Sequence, residues 1–166
     1  MRKILLTLLS VLMIALLFTL SVPVQAGPPT NAEGLWRYTP TIIDSREAGC
    51  NTFLTTTEVG EWTGTFEGDS TEAGKVVIHC SGAWSFNAIV TFSNVTVDDK
   101  EGTLEMSVVG KRPDASADWE GKWVILSGTN ELATLRGQGT WWGPGASGPG
   151  TWGDIYYVGN THFEPK

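Results

Sequence analysis

The chain has 166 residues, of which 18 are acidic and 11 are basic, and its formal net charge at neutral pH is −7. An acidic protein repels nucleic acid, so this composition argues against a nucleic-acid partner and is more simply explained as a charge that keeps a small protein soluble. The length is sufficient for one domain with a substantial hydrophobic core.

The N-terminal segment has the pattern of a secretory signal. A basic start, Met-Arg-Lys, precedes an apolar run over residues 4–22, and the small residue Ala26 closes a typical cleavage site. We predict a signal peptide over residues 1–26 and a flexible segment over residues 27–33, with the mature protein secreted or periplasmic. The apolar run is also long enough to span a bilayer, so an uncleaved anchor is the alternative. No other contact with a membrane is predicted.

The remaining residues, 34–166, consist mainly of short strand-like segments. The first of these are LWRYTPTII, CNTFLTTTEV, EWTGTFEG and KVVIHCSG. The clearest alternation of apolar and polar residues follows in AWSFNAIVTF. Its apolar face consists of Trp84, Phe86, Ala88, Val90 and Phe92. TLEMSVVG and DWEGKWVIL repeat the pattern. In GTWGDIYYV an apolar stripe consists of Trp152, Tyr156 and Val158 and is interrupted by Asp154.

Turn-forming segments separate most of these strands, among them EGDS, DDKEG, KRPDAS and GPGASGPG. About eight to ten short strands at regular spacing predict one all-β domain, an antiparallel sandwich or barrel. The only helical candidate after the signal segment is NELATLRG, with Asn130 as its cap, Gly137 as its stop and at most two turns. The composition of GPGASGPG indicates a loop with backbone freedom rather than chemistry.

The two cysteines, Cys50 and Cys80, form an even pair. Outside the cytoplasm such a pair usually forms a disulfide. A metal site is disfavoured because there is no CxxC motif, and the two histidines, His79 and His162, are far apart in the sequence. No motif calls for a cofactor.

The glycines of the segment Gly137-Gln138-Gly139 do not form a phosphate-binding loop. A dinucleotide fingerprint needs a third glycine between a strand and a long helix, and a P-loop needs a following Lys-Ser or Lys-Thr pair. In β-proteins, glycines of this kind mark bulges or tight barrel corners where a side chain would clash.

The same region resembles a known group of proteins. The segments WVILSGT and NELATLRGQGT, with TGTFEGD and the run HCSGAWSFNAIVTFSNVTVDDKEGTLEM upstream, are similar to the pattern of allene oxide cyclase-like barrels and of small bacterial barrel proteins of uncharacterised function. The resemblance covers roughly residues 60–143. It implies a closed, calycin-type barrel of eight antiparallel strands, related in shape to lipocalins. The relatives with known activity are cyclases and dirigent proteins, which hold a reactive hydrophobic molecule inside the barrel.

Nine polar residues are candidates for chemistry. They are Glu58, Glu61, His79, Asn87, Glu105, Asp118, Glu120, Arg136 and Asp154. Glu105 and Glu120 lie opposite apolar stripes and are expected to face solvent. His79 is more simply a structural or surface residue, because a general base needs a positioned partner. Arg136 either ties the short turn to a carboxylate or binds an anionic ligand group at the barrel mouth. Asp154 is either a strand-end residue or a polar group inside the barrel.

Eight tryptophans follow residue 26, which is a high number for one small domain. Those in phase with aliphatic residues are expected to fill the barrel. Trp141 and Trp142 are adjacent in a strand, so one points inward and the other is either covered or exposed. The candidate ligand-binding residues are Trp84, Phe86, Trp123, Trp141, Trp142, Trp152, Tyr156 and Arg136.

Three functions remain open from the sequence. The first is non-catalytic binding of a small hydrophobic or aromatic molecule inside the barrel. The second is a cyclase or isomerase, which requires a buried polar group with a displaced pKa facing a cavity. The third is binding of a carbohydrate or a surface through an exposed tryptophan. The sequence selects no catalytic residue, and it leaves the oligomeric state undetermined.

Overall fold

The structure, a computed structural model, describes residues 27–165; the predicted signal peptide lies outside them. Eight antiparallel strands are joined in chain order, and the last pairs with the first, so that they form a closed barrel. The strands are β1 Thr30–Ala48, β2 Asn51–Gly64, β3 Gly68–Ile78, β4 Trp84–Val97, β5 Lys100–Arg112, β6 Trp119–Gly128, β7 Leu135–Gly143 and β8 Gly153–Phe163. The all-β prediction is therefore confirmed.

The alternation in the middle of the chain correctly identifies the side chains that point into the barrel. Over the central parts of β4, β5 and β6 buried residues alternate with more exposed ones, as for Phe86, Val90 and Phe92 in β4. Successive side chains of a strand point to opposite faces, so a ring with a dry interior buries one of the two.

Three local predictions need correction. The strands contain 9 to 19 residues and are longer than expected, and β1 begins at Thr30, inside the segment 27–33 that was predicted as flexible. The helical candidate is only a 3-10 turn, Asn130–Leu132, preceded by Thr129 rather than capped by Asn130. Gly137 lies within β7 because the residues that follow the turn pair with β8. A segment this short gains too few hydrogen bonds to hold an α-helix against that pairing.

The phase of β8 is also opposite to the one expected. Ile155 and Tyr157 are buried, whereas Trp152, Tyr156 and Val158 are exposed on the outside. Both faces of β8 carry large apolar residues, and the inward face is interrupted by Gly153 and Gly159, which have no side chain. A Cβ atom at Gly159 would lie 2.5 Å from the indole of Trp123, which explains why this inward position has no side chain.

One half of the barrel interior is filled by large side chains. It lies toward the end that carries the β2–β3, β4–β5 and β6–β7 connections. Trp62 contacts Phe66, Phe92 and Tyr157 with ring centroids 5.2–6.1 Å apart, and Tyr157 Oη donates a hydrogen bond to the Thr63 carbonyl at 3.0 Å. Each fully buried side chain of this size contributes about 1.5–3 kcal/mol, so this half is the hydrophobic core.

Glycines make room for the tryptophans on the inner wall. A Cβ atom at Gly110 or Gly121, which are paired across β5 and β6, would lie 2.3 Å from the ring of Trp141. A Cβ atom at Gly139 would lie 2.5 Å from Nε1 of Trp123. The glycine-rich segment therefore serves close packing of the barrel wall, in agreement with its interpretation as a place where side chains would clash.

Cys50 and Cys80 form the predicted disulfide, with their Cα atoms 5.1 Å apart. The bond joins the β1–β2 turn to the β3–β4 turn, at the end of the barrel opposite the packed core. Disulfides persist in oxidising compartments, so the bond favours an extracytoplasmic location. Among residues 27–165 no helix has the length and hydrophobicity needed to cross a membrane.

Candidate functional site

The half of the barrel near the disulfide contains a cavity of about 160 Å³. Most of its wall is aromatic or aliphatic. The aromatic lining residues are Trp36, Tyr38, Trp84, Phe86, Trp119 and Trp141. Trp36 also stacks on Trp62 of the packed half, with centroids 5.2 Å apart, and its Nε1 has no hydrogen-bond partner among the described residues. The cavity therefore begins where the core ends.

The loop between β7 and β8 covers part of this cavity. Residues 146–149 contribute to its lining. The Ala146 N–H donates to Tyr38 Oη at 3.2 Å, and the Gly150 N–H donates to the Pro40 carbonyl at 2.9 Å. Gly145 has a φ of +67°, a conformation that glycine adopts without strain. The segment GPGASGPG is thus a wall of the cavity, a role that its composition did not indicate.

Two carboxyl groups point into the interior beside the cavity. Glu58 on β2 and Glu72 on β3 are directly paired across the two strands and are only 4% and 2% exposed. The Thr56 hydroxyl donates to Glu58 Oε1 at 3.3 Å. The other three carboxyl oxygens have no hydrogen-bond partner among the described residues. Glu58 lines the cavity.

Burial shifts both carboxyl groups toward their protonated forms. Loss of hydration raises the pKa of Glu58 to about 7, although its hydrogen bond from Thr56 acts in the opposite direction. Burial also raises the pKa of Glu72 well above its usual range, and the charge of Glu58 raises it further. Two adjacent carboxyls in a dry site cannot both ionise easily, so the pair keeps at least one proton near neutral pH.

Tyr38 lies near this pair and stays protonated. Burial raises its pKa to about 12, the hydrogen bond from Ala146 opposes that effect, and the nearby Glu58 and Glu72 add to it. Its hydroxyl accepts the Ala146 N–H. None of the described residues accepts the Tyr38 O–H, so this proton is available to a molecule in the cavity.

Arg112, at the C-terminal end of β5, lies at the mouth of the same cavity. Its guanidinium carbon lies 4.0 Å from the ring centroid of Trp84 and 4.7 Å from that of Trp119. The residue is 9% exposed, and its Nε has no hydrogen-bond partner among the described residues. Burial lowers the pKa of Arg112, but an arginine remains charged in proteins.

The structure brings only some of the predicted ligand-binding residues to the cavity. Trp84, Phe86 and Trp141 line it. Trp123 belongs to the packed half, where its ring contacts Phe66 and Tyr157.

The other predicted ligand-binding residues lie elsewhere. Trp142, Trp152 and Tyr156 are 44%, 52% and 50% exposed, and Trp142 stacks on Tyr156 outside the barrel with centroids 6.2 Å apart. Binding of a carbohydrate or a surface through an exposed tryptophan therefore stays a prediction. Arg136 pairs with Glu164 at 2.9 Å, away from the cavity.

Of the nine polar candidates, only Glu58 points into the barrel. Asp154 is outside, where its Oδ1 accepts a hydrogen bond from Arg37 at 3.0 Å. The exposed candidates, as expected for Glu105 and Glu120, are Glu61, His79, Asn87, Glu105, Asp118 and Glu120. In residues 27–165 no group of three or more His, Cys, Asp or Glu side chains is arranged to hold a metal ion.

Glu72, Tyr38 and Arg112 were not identified from the sequence. Arg112 is in phase with Leu104, Met106 and Val108 on β5, so the alternation contained a signal that this arginine points inward. Glu72 had no such signal, because the inward face of β3 also includes Ser70 and Gly74 and is not apolar in sequence.

No model of a known protein family matches the chain, and no curated protein matches it. Among solved structures, the chain is similar to a protein of unknown function from the DUF3224 family of Shewanella oneidensis MR-1. The TM-score is 0.59 and the sequence identity 16%, over 84% of this chain and 100% of that chain. At this identity the likeness concerns the fold alone. It fits the expected resemblance to uncharacterised barrel proteins, while the resemblance to allene oxide cyclases stays a prediction.

Proposed function

We propose that the barrel binds a small apolar or aromatic molecule in the cavity between the packed core and the β7–β8 loop. The observation that carries the proposal is an aromatic-lined space of about 160 Å³ inside an otherwise filled barrel. An apolar cavity of about 150 Å³ in a protein interior is large enough for benzene. The expected occupant is therefore a molecule built around one ring.

The surroundings of the cavity support a preformed site. Trp141 is held by the hydrogen bond from its Nε1 to the Lys122 carbonyl at 3.1 Å, and Trp36 is held by stacking on Trp62. Rigid aromatic walls lower the entropic cost of ordering the site when a ligand binds. The few polar groups, such as Glu58 and Tyr38, would orient the ligand.

A cavity-filling variant tests the proposal. In Ala146→Leu the added side chain occupies space beside the cavity, so we expect the affinity for toluene and phenol to fall at least about tenfold. Isothermal titration and intrinsic tryptophan fluorescence would measure binding. Ala73→Leu, on the outer face of β3, is the matched control and should bind like the wild type. The proposal fails if the wild type binds neither compound, or if both variants bind equally well.

A second candidate function, an isomerase or cyclase acting by proton transfer, is favoured by Glu58. Its carboxyl group lines the cavity, and its pKa of about 7 is suitable for both removing and returning a proton at neutral pH. Glu72, directly opposite, would hold the shared proton while Glu58 accepts one.

Exchange of carbon-bound hydrogen would reveal this activity. A one-ring ketone such as acetophenone or cyclohexanone, incubated with the protein in D₂O, should take up deuterium next to its carbonyl group faster than in buffer, as followed by NMR. Glu58→Gln should abolish the acceleration, whereas Glu61→Gln, exposed on the same strand, should leave it unchanged. If a ketone that binds the wild type shows no acceleration, this second proposal is wrong and the binding proposal stands.

A further inference from the structure

We infer that the natural ligand carries a carboxylate, which binds Arg112 at the mouth of the cavity while an aromatic or cyclic apolar part lies among the tryptophans. This inference rests on the proposed binding function and names the chemical class of the ligand. It follows from the lack of an acidic partner for Arg112, from the contacts of two indoles with its guanidinium, and from the Tyr38 hydroxyl that lines the same cavity.

The first step concerns the missing counter-ion of Arg112. Arginine is almost never buried without a partner, because removing a charge from water is costly. Arg112 is 9% exposed and lines the cavity, yet within residues 27–165 no carboxylate lies within ion-pairing distance of it. Its Nε also lacks an acceptor there. A ligand carboxylate would supply both the opposite charge and the acceptor.

Asp114, which follows Arg112 in the turn between β5 and β6, does not act as the counter-ion of Arg112. Asp114 is close enough for its charge to raise the pKa of Arg112. However, Asp114 Oδ1 accepts hydrogen bonds from the backbone N–H groups of Ser116 and Ala117 and from the Ser116 hydroxyl, at 2.6–3.0 Å. Asp114 is thus committed to the turn that connects β5 and β6.

The second step concerns orientation. Trp84 and Trp119 contact the guanidinium of Arg112 as cation–π partners, with their own rings nearly perpendicular at 85°. Because the two rings are nearly perpendicular, the guanidinium can lie flat on at most one of them, and its five N–H donors leave an edge that can donate hydrogen bonds. A planar carboxylate can accept two parallel hydrogen bonds from that edge. The indoles therefore prepare a carboxylate site rather than neutralise the charge.

The third step concerns the other polar groups of the cavity. Tyr38 is protonated and its O–H has no acceptor among the described residues, so it can donate a second hydrogen bond to an anion. Burial, rather than an arginine, determines the protonation of Glu58 and Glu72, and neither carboxyl pairs with Arg112. Because Glu58 and Glu72 together retain a proton, at most one of them is negatively charged when a ligand carboxylate binds.

Size limits the class further. A cavity of about 160 Å³ holds about one ring, so the carboxylate must be attached to the ring directly or through a short linker. Benzoate and phenylacetate are the simplest members of this class. Benzamide and phenylacetamide have nearly the same shape and no charge, so they serve as matched neutral probes.

Isothermal titration of the protein with these four compounds tests the inference. For the wild type we expect each acid to bind about 10- to 100-fold more tightly than its amide, the range expected for hydrogen bonds to a charged group. Arg112→Gln should remove this preference, so that each acid and its amide bind this variant with similar affinity. Lys111→Gln, the neighbouring exposed residue whose pair with Glu120 spans 3.4 Å, removes the same charge and should retain the preference.

The outcomes separate the inference from the proposed function. If the wild type binds toluene and the amides as tightly as the acids, the carboxylate inference is wrong and the binding function stands. If it binds none of these compounds, the binding function itself is wrong. Should Arg112→Gln fail to fold, Arg112→Met retains the apolar stem without the charge, and a preference as large as that of the wild type in this variant would also contradict the inference.

Discussion

Glu58 and Glu72 link the stability of the protein to pH. Both carboxyls have raised pKa values in the folded state, so the folded protein holds protons that the unfolded chain has already released. Below the usual pKa of 4.5 the carboxyls are protonated in both states, and the favourable contribution of their neutral forms is complete. As pH rises through this value toward about 7, unfolding releases protons and the free energy of unfolding falls.

We expect the wild type to lose roughly 3 kcal/mol of unfolding free energy between pH 4.5 and pH 8 through Glu58 alone, because one pKa unit corresponds to 1.36 kcal/mol. Glu58→Gln cannot ionise and should lose much less over the same range, as urea unfolding at several pH values would show. Glu61→Gln is the control, because Glu61 is exposed on the same strand. Parallel pH profiles for the wild type and Glu58→Gln would contradict the raised pKa.

At the scale of strands and loops, the rim of the cavity depends on tethered connections. The disulfide joins the turns that follow β1 and β3, and the Asn51 side chain accepts a hydrogen bond from the Cys80 N–H at 3.0 Å. The β7–β8 loop is attached to β1 through Tyr38 and Pro40. These contacts hold the cavity walls together at the end of the barrel that has no packed core.

Replacing both Cys50 and Cys80 by serine should lower the free energy of unfolding by about 3–4 kcal/mol, the value for a loop closed over 30 positions. Urea unfolding with and without a reducing agent measures this. Reduction should destabilise the wild type to a similar extent and should not affect the double variant. An unchanged midpoint for reduced wild type would show that the disulfide does not stabilise the rim.

The accuracy of the strand predictions varied with how polar the inward face is. In β4 to β6 the inward face is apolar, as with Phe86 and Phe92 of β4, and the alternation identifies it correctly. In β8 both faces carry large apolar residues, Ile155 and Tyr157 inward and Tyr156 and Val158 outward, so the local alternation did not decide the phase. The absence of a side chain at Gly159 is explained by Trp123 of another strand, and that at Gly153 by the backbone of Gly145 and Ala146, neither of which a local pattern contains.

At the scale of the whole molecule, the barrel is divided into a packed half and a hollow half. Large rings from β2, β4, β6 and β8 converge in the first, as Trp62, Phe92, Trp123 and Tyr157 show. In the second, β2, β3 and β5 contribute Glu58, Glu72 and Arg112. The packed half supplies stability, which allows the other half to contain buried polar groups and unfilled space.

The sequence by itself determined the all-β class, the disulfide and the inward faces of the central strands. These features depend on local alternation with a period of two residues and on the pairing of the only two cysteines. The closed barrel alone placed Glu58 opposite Glu72, and it brought Arg112 between Trp84 and Trp119 at one end. Such contacts depend on the register between strands far apart in sequence and on which end of the barrel remains unfilled, and neither property is encoded in a local pattern.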